Sequence, residues 1–415
     1  MPDSSRTTRT FRFEAFRAVS AGIIETAGST FFVLIAISWF EAGALAKGLV
    51  ASGSGLGYLL SPLVVSRVEA ARIPVARAAS RLCLFASMGL GVSALVPSQL
   101  LFVLTSLISI AASGSTVPLL TQIFQDNYPD ESRGRYFART VMIRIVSGAA
   151  FGAGAGYLLS LDIAYYRFVL AAYAAALAFA SWCLSNVPSE PLHLSESDHP
   201  LRAFRSVRED PVFRITLISW MFMGFANLMM LPLRVEYLAN PRYQVALSAG
   251  TIALLTSVVP NLARLVMSPI WGWLFDRMNF FAMRVTLNVG FAVGILAFFA
   301  SDTIPGFVFA AITFGIATAG GDLAWTLWVT KVAPPARVAQ YMSVHTFFTG
   351  LRGLAAPLLG FALVARYPMT TLGWFAAASI VLGSLLLLPN ALSNAPLRRG
   401  PAAPVAPGPG EPGEA

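Results

Sequence analysis

Residues 272–284 read Gly-Trp-Leu-Phe-Asp-Arg-Met-Asn-Phe-Phe-Ala-Met-Arg, a short charged segment between two apolar runs, 246–273 and 284–301. A helix needs about 20 apolar residues to cross the hydrocarbon of a bilayer. Runs of about this size, separated by short polar loops, recur almost to the end of the chain. The runs lack the alternation of a membrane barrel, and lipid excludes open sheet edges, so we predict transmembrane helices.

The composition of the whole chain agrees with this interpretation. Hydrophobic residues make up 56% of the 415 residues and charged residues only 12%, whereas a soluble chain has about 25% charged residues. The net charge of +9 does not indicate nucleic-acid binding, because the basic residues lie at helix ends rather than in one patch. Cys83 and Cys183 fall within apolar runs and the three histidines lack ligand spacing, so we expect no disulfide, metal or other cofactor.

The pattern predicts an all-α integral membrane protein with about 12 transmembrane helices in two pseudo-symmetric six-helix bundles. The expected spans are 16–40, 44–66, 80–97, 100–124, 137–160, 164–185, 213–235, 246–273, 284–301, 305–331, 341–365 and 370–390. The bundles are then 16–185 and 213–390. The remaining segments are an N-tail (1–15), a polar linker (186–212) and a Pro/Gly-rich C-tail (391–415) that we expect to be disordered.

The positions of arginine and lysine predict the orientation. Basic residues are frequent in the N-tail, the linker, the C-tail and every second loop. The alternate loops hold few: Lys47, Arg167, Arg234, Arg242 and Arg366. We therefore expect both termini and the linker on the cytoplasmic side of a bacterial inner membrane.

A weak internal repeat supports the six-plus-six division. At an offset of 204 or 205 residues, Arg133 meets Arg337 and Gly148 meets Gly353. Ser61-Pro-Leu63 likewise meets Ser268-Pro-Ile270 at an offset of 207. Several matches at nearly one offset are expected of two parallel repeats related by an axis along the membrane normal.

The segment 272–284 is similar to the Gly-x-x-x-Asp-Arg loop motif of the major facilitator superfamily, and the resemblance covers the chain from the first predicted span to the twelfth. It implies that Gly272, Asp276, Arg277 and Arg284 form a latch between helix ends that helps to set the inward/outward equilibrium. A carboxylate and an arginine can make and break charge-assisted bonds as helices move. The first-half copy keeps Glu69 and Arg72 but lacks the glycine and the Asp-Arg pair, which argues against two equal latches.

Small residues in the fifth span, Gly148, Gly152 and Gly156, permit close helix approach in lipid. The run also has a faint resemblance to the glycine-rich fifth-helix motif of antiporters in the same family. Ala153 stands where that motif has a proline, so we favour a packing role.

Ionisable residues inside spans are the strongest indicators of function, because each is costly without a partner or a wet cavity. The resemblance implies that helices one, four, seven and ten line a cavity and that two, five, eight and eleven flank it. The predicted cavity and coupling residues, which include polar neutral groups and one indole, are Glu25, Asp322, Arg264, Arg352, Arg144, Gln122, Asn227 and Trp325.

Two interpretations of these charges stay open. Glu25 or Asp322 is either a proton-coupling group or a structural ion-pair partner of Arg264 or Arg352. Arg144 and His345 lie near span ends, where a long or polar side chain can simply reach the interface.

The leading hypothesis is secondary active transport by alternating access, coupled to protons, with efflux of hydrophobic or weakly polar compounds favoured. The chain contains no Walker-type ATP-binding sequence, and we expect no enzyme activity. The alternatives are a metabolite permease of the same fold and a transport-inactive membrane sensor or assembly protein. We expect membrane lipid, a small solute and protons as partners, no nucleic acid, and a monomer.

Overall fold

The computed structural model describes residues 4–192, 204–333 and 338–392. The described residues form twelve long helices, which we label α1–α12 in chain order. They are α1 (Ser4–Thr26, a π-helical turn Ala27–Phe31, and Phe32–Ser38), α2 (Ala44–Ala51 and Gly53–Ala70), α3 (Val75–Leu95), α4 (Gln99–Gly114 and Val117–Asn127), α5 (Asp130–Leu161), α6 (Tyr166–Ser185), α7 (Pro211–Ala239), α8 (Ala249–Ala253, a π-helical turn Leu254–Val258, and Val259–Arg277), α9 (Phe280–Phe299), α10 (Ile304–Val332), α11 (Val338–Leu363) and α12 (Met369–Leu385). The described ranges contain no β-strand, only an isolated bridge between Pro74 and Pro191.

The helices have the length and composition of membrane spans. In the described part of the chain, ten are long and apolar enough to cross a bilayer, and the two parts of α2, bent by 52°, provide an eleventh. The twelfth, Met369–Leu385, is a shorter apolar helix. Large apolar side chains such as Phe168, Val266 and Trp374 lie exposed on the helix surfaces, as expected where lipid replaces water as the solvent. The predicted all-α membrane fold is confirmed.

Several helices extend beyond the predicted spans. The helix α1 begins at Ser4, inside the segment predicted as an N-tail, and α5 begins at Asp130 rather than at 137. Hydropathy marks only the part of a helix that lies in lipid, whereas the backbone hydrogen bonds continue beyond it. The start of α1 is also held in place, because Arg6 Nε and Thr7 Oγ1 donate to the side-chain and backbone oxygens of Asn127 at 2.7 and 2.8 Å.

The helices form two groups that meet along two antiparallel pairs. Within the first group α3 packs on α6 and α1 on α5, and within the second α9 packs on α10 and α12. Between the groups, α2 packs on α11 and α5 on α8. If each helix is replaced by the one six positions away in the chain, the pair α2 and α11 becomes the pair α8 and α5. The contacts between the groups therefore have the two-fold symmetry that the sequence repeat indicates.

The bundle has two ends, which differ in how closely the groups approach. The terminal face is the end at which α1 begins and α12 ends, and the opposite face is the other end. Close approaches between the groups lie from the middle of the helices towards the opposite face. Examples are Gly48 against Leu358, Gly55 against Gly353, and Gly156 against Ala253.

Candidate solute and coupling site

Three charged residues from three helices meet near the middle of the bundle. Arg264 of α8 donates from Nη1 to Glu25 Oε1 of α1 and from Nε to Asp322 Oδ2 of α10, both at 2.6 Å. The arginine side chain is 5% exposed, whereas the carboxylate side chains are 43% and 38% exposed. One buried arginine is therefore shared between two carboxylates that remain open on one side.

Arg144 of α5 adds a second cation to this cluster. Its Nε lies 3.1 Å from Glu25 Oε2, although the contact lacks hydrogen-bond geometry. Glu25 and Arg144 belong to the first group of helices, and Arg264 and Asp322 to the second. The cluster therefore balances two negative charges with two positive ones and joins the halves of the protein.

The backbone around Glu25 and Arg264 departs from regular α-helix. A π-helical turn, Ala27–Phe31, follows Glu25, and another, Leu254–Val258, precedes Arg264. The turns meet at Thr30 and Thr256, whose buried hydroxyl oxygens are 3.3 Å apart. Such turns are rare in proteins overall, but many of those that occur lie at functional sites. Here they lie on both sides of the interface, beside the charged cluster.

Aromatic side chains border the cluster. Trp325 lies one turn after Asp322 on α10, and its ring centroid is 6.3 Å from that of Tyr58 on α2. Asn227 has a buried Oδ1 without a partner in the described chain. Gln122 does not join the cluster, because its amide donates to Asp126 at 2.8 Å near the end of α4.

Arg352 and His345 lie apart from the carboxylates. Arg352 Nη1 donates to the backbone oxygen of Trp220 at 2.6 Å, so the alternative pairing of Arg352 with Glu25 or Asp322 is not present. The expectation that His345 reaches the membrane interface is wrong, because its ring is fully buried between Trp220, Trp325 and Trp328.

Of the residues predicted to form a latch, Arg277 and Arg284 contact different tryptophans. Arg284 lies in α9, 1% exposed, with its guanidinium 3.7 Å from the ring centroid of Trp220. Arg284 therefore places a buried charge at the start of the predicted ninth span, 284–301. Arg277 is exposed and covers Trp273 instead. The side chain of Asp276 lies outside the described part of the structure.

The other latch positions lie near the ends of α8 and α2. A Cβ added at Gly272 meets nothing within 4 Å. In the first-half copy, Arg72 is exposed and has a φ of 49°, and its backbone N–H donates to the Glu69 oxygen at 2.9 Å. The latch stays a prediction.

Glycines of α5 lie at close contacts with α1 of the same group and with α8 of the other group. A Cβ at Gly148 would lie 3.0 Å from the backbone oxygen of Gly22, and one at Gly152 would lie 2.5 Å from Ser257 Oγ of α8. At Gly156 it would overlap the Cβ of Ala253. The three glycines thus permit the approach of α5 to α1 and α8.

The sequence interpretation missed an ion pair near the opposite face. Lys47 Nζ of α2 lies 2.6 Å from Glu236 Oε2 of α7, and these side chains are 10% and 1% exposed. Lys47 and Arg234 had been assigned to loops, but both are buried, and Arg234 lies 4.1 Å from the ring centroid of Phe314. Lys47 and Arg234 both fall within predicted spans. The high cost of a charge in lipid could therefore have identified them as buried, partnered residues.

Comparisons with known proteins support a transporter fold. The family model described as Major Facilitator Superfamily matches residues 18–255 and 236–411. No curated protein matches the chain. The solved structure of the nucleoside transporter NupG has a TM-score of 0.71 at 14% identity and covers 94% of this chain and 100% of its own.

Two further solved structures show the same architecture. A POT family transporter in complex with a thioalcohol conjugated peptide has a TM-score of 0.69 at 14% identity, over 93% of this chain and 96% of its own. The inward open xylose transporter XylE from E. coli has a TM-score of 0.66 at 14% identity, over 93% of this chain and 95% of its own. At such identities these likenesses concern the fold alone.

Proposed function

The chain belongs to the major facilitator superfamily, and we propose that it is a secondary active transporter that moves a small organic solute by alternating access. The observation that carries this proposal is the ion-pair cluster of Glu25, Arg264 and Asp322, which joins the two halves at mid-bundle. Relative movement of the halves must break or rearrange these charge-assisted bonds. A group that binds to the carboxylates therefore changes the balance between two arrangements of the halves.

The conformation described is closed at the opposite face. The ion pair of Lys47 with Glu236 and the close contacts of α2 with α11 join the halves there. Glu25 and Asp322 are nevertheless partly exposed, so we infer that the cavity opens towards the terminal face. The excess of arginine and lysine at that face supports a cytoplasmic position for it, and the proposed state is then inward-facing.

Protons are the proposed coupling ions. A proton on Glu25 removes the charge that holds this carboxylate to Arg264 across the interface. A proton on Asp322 weakens the bond that orients Arg264 within the second group of helices. Deprotonation restores the bond. Proton binding and the separation of the halves are then linked through one shared arginine, and Glu25 is the preferred coupling residue because its bond to Arg264 crosses between the halves.

The aromatic lining supports a solute with an apolar or aromatic body. Trp325 and Tyr58 stand next to the charged cluster, and flat rings of this kind offer a large contact surface. We propose efflux of hydrophobic or weakly polar compounds as the physiological direction. The similar structures belong to transporters of nucleosides and xylose and to a transporter bound to a peptide conjugate, all of them small organic molecules.

Amide variants of the two carboxylates test the coupling. The full chain is reconstituted into proteoliposomes, with a solute chosen because it raises the thermal stability of the purified protein. We expect Glu25→Gln to abolish accumulation against a gradient but to retain downhill exchange, because the amide resembles the protonated acid. Asp322→Asn is expected to have a similar but weaker effect. Asp302→Asn, an exposed carboxylate between α9 and α10, is the control and should accumulate solute normally.

The coupling proposal is wrong if Glu25→Gln and Asp322→Asn both transport uphill at the wild-type rate with unchanged pH dependence. In that case the carboxylates serve only as ion-pair partners of Arg264. Absence of any counterflow by the wild-type protein with a solute that binds it would instead favour the transport-inactive sensor.

A further inference from the structure

Two arginines of the second group of helices lie on the same tryptophan. The guanidinium carbon of Arg284 (α9) is 3.7 Å from the ring centroid of Trp220 (α7), and that of Arg352 (α11) is 5.7 Å away. The residues are 1% and 3% exposed. The ring of His345, 0% exposed, lies 5.2 Å from the same indole. We refer to Arg284, Arg352, His345 and Trp220 as the cationic cluster.

The polar atoms of this cluster are incompletely paired. Arg284 Nη1 and Nη2 and both ring nitrogens of His345 have no hydrogen-bond partner in the described chain. Arg352 donates to Trp220 O at 2.6 Å and to Thr349 Oγ1 at 3.0 Å, which leaves its Nε free. Buried polar atoms are normally satisfied, so five unpaired nitrogens in one place require an explanation.

No carboxylate of the described residues balances these charges, since neither arginine forms an ion pair. The cluster at Glu25 differs in its charge balance, because there two arginines lie next to two carboxylates. Contact with the face of an indole stabilises a cation only partly. The free-energy cost of burying an unpaired charge is larger than the stabilisation from such a contact. The cluster therefore has an excess of positive charge that a bound anion would neutralise.

The geometry fits a planar oxyanion. The guanidinium group presents a rigid fork of donors that matches a carboxylate, and Arg284 has both terminal nitrogens available. Space for Arg352 is provided by Gly224, because a Cβ there would lie 2.6 Å from the guanidinium carbon. The hydrogen bonds of Arg352 to Trp220 and Thr349 hold this guanidinium in place before a ligand arrives.

Trp325 separates the cationic cluster from the carboxylates. Its ring contacts His345 at 5.6 Å on one side and Tyr58 at 6.3 Å on the other. Trp325 is only partly buried, and Asp322 one turn away is 38% exposed. The indole of Trp325 therefore lies between His345 of the cationic cluster and the region of the charged cluster.

We propose that Arg284, Arg352 and His345 form an anion-binding site that takes the carboxylate of an organic solute. This inference deepens the proposed function: it relies on transport only for the claim that the bound anion is the transported solute. It defines the substrate class as organic carboxylates with an apolar or aromatic body. Arg284 and Arg352 hold the carboxylate, and Trp220 and Trp325 contact the body of the solute.

Ligand-dependent thermal unfolding of the purified full-length protein tests the site. The probes are benzoate and acetate, their neutral counterparts benzamide and acetamide, and inorganic phosphate at the same ionic strength. We expect benzoate to raise the unfolding temperature of the wild-type protein and benzamide to leave it unchanged. Arg352→Gln and Arg284→Met should each raise the apparent Kd for benzoate by about tenfold or more. Arg366→Gln, an exposed arginine after the same helix α11, should bind benzoate like the wild type.

The unliganded variants provide a readout that a purely structural role would not give. Because Arg284 is an unpaired buried charge, Arg284→Met should retain or raise the unfolding temperature without ligand. A large loss of stability in this variant would show that the arginine holds the fold together, and would overturn the proposal. Equal stabilisation by benzoate and benzamide, stabilisation by phosphate alone, or benzoate binding that survives both substitutions would also overturn it.

Failure of this site and failure of the transport proposal give different results. A protein that binds benzoate through the arginines but shows no counterflow refutes transport and leaves the site intact. A protein that accumulates a neutral solute uphill but binds no carboxylate refutes the site alone.

Discussion

At Lys47 and Glu236 the chain buries two opposite charges in a contact of 2.6 Å between α2 and α7. Asn240 donates to the other carboxylate oxygen of Glu236 at 2.8 Å, and the Lys47 ammonium lies 5.3 Å from the ring centroid of Phe361. Removal of one member of such a pair leaves an uncompensated buried charge, which is more costly than removal of both. The pair thus joins α2 to α7 near the opposite face, and loss of one partner would destabilise the described state.

Single and double substitutions of this pair should be non-additive. We expect Glu236→Gln to destabilise the described state by about 3 kcal/mol or more, because Lys47 stays buried and charged. The double variant Lys47→Gln/Glu236→Gln should recover part of the loss. The measurement is thermal unfolding in detergent, with Glu41→Gln, an exposed acid near the same face, as control. Additive losses in the double variant would show that the two charges do not interact.

At the scale of the element, the glycines of α5 determine how closely the halves meet. Gly156 faces Ala253 of α8 so closely that an added Cβ overlaps the alanine side chain, whereas a Cβ at Gly154 meets nothing within 4 Å. Both residues lie inside the same helix, Asp130–Leu161. Only one of them therefore contributes to the contact between the halves.

Substitution by alanine should have different effects at Gly154 and Gly156. The gain in helix propensity, about 0.5–1 kcal/mol for Gly→Ala, is the same at both positions. We expect Gly156→Ala to push α8 away and shift the population towards a state that is open at the opposite face, and Gly154→Ala to leave it unchanged. Spin labels at Leu45 and Tyr367, which are 71% and 47% exposed, report the distance between the halves in a background without Cys83 and Cys183.

A longer label distance in Gly156→Ala alone is the expected result. If Gly154→Ala lengthened the distance to the same extent, the effect would arise from helix stiffness rather than from the contact with Ala253.

At the scale of the whole molecule, twelve helices bring both described ends of the chain, Ser4 and Leu392, to one face. The excess of arginine and lysine at that face predicts that it lies in the cytoplasm. Reporter fusions after Gln99, after Phe204 and at the C-terminus should read outside, inside and inside. An outside reading at Phe204 would refute the division into six and six spans, and an inside reading at Gln99 would refute the orientation.

The sequence by itself determined the class of fold and identified several charged residues that lie inside the helix bundle. Long apolar runs have only one solution in lipid, helices with internal backbone hydrogen bonds, so the number of helices followed from hydropathy. Glu25, Arg264 and Asp322 were identified because a charge inside an apolar run is costly. This cost is local, and a single chain reveals it without knowledge of neighbours.

Only the tertiary structure decided which charges meet. Arg264 pairs with both Glu25 and Asp322, although hundreds of residues separate Glu25 from Arg264, and nothing in the spacing distinguished Arg264 from Arg352 as the partner. Arg284 resembled a loop residue in sequence, yet the rotation of α9 turns it onto Trp220. Pair formation depends on helix rotation and depth, which are fixed by packing between helices, and hydropathy does not encode them.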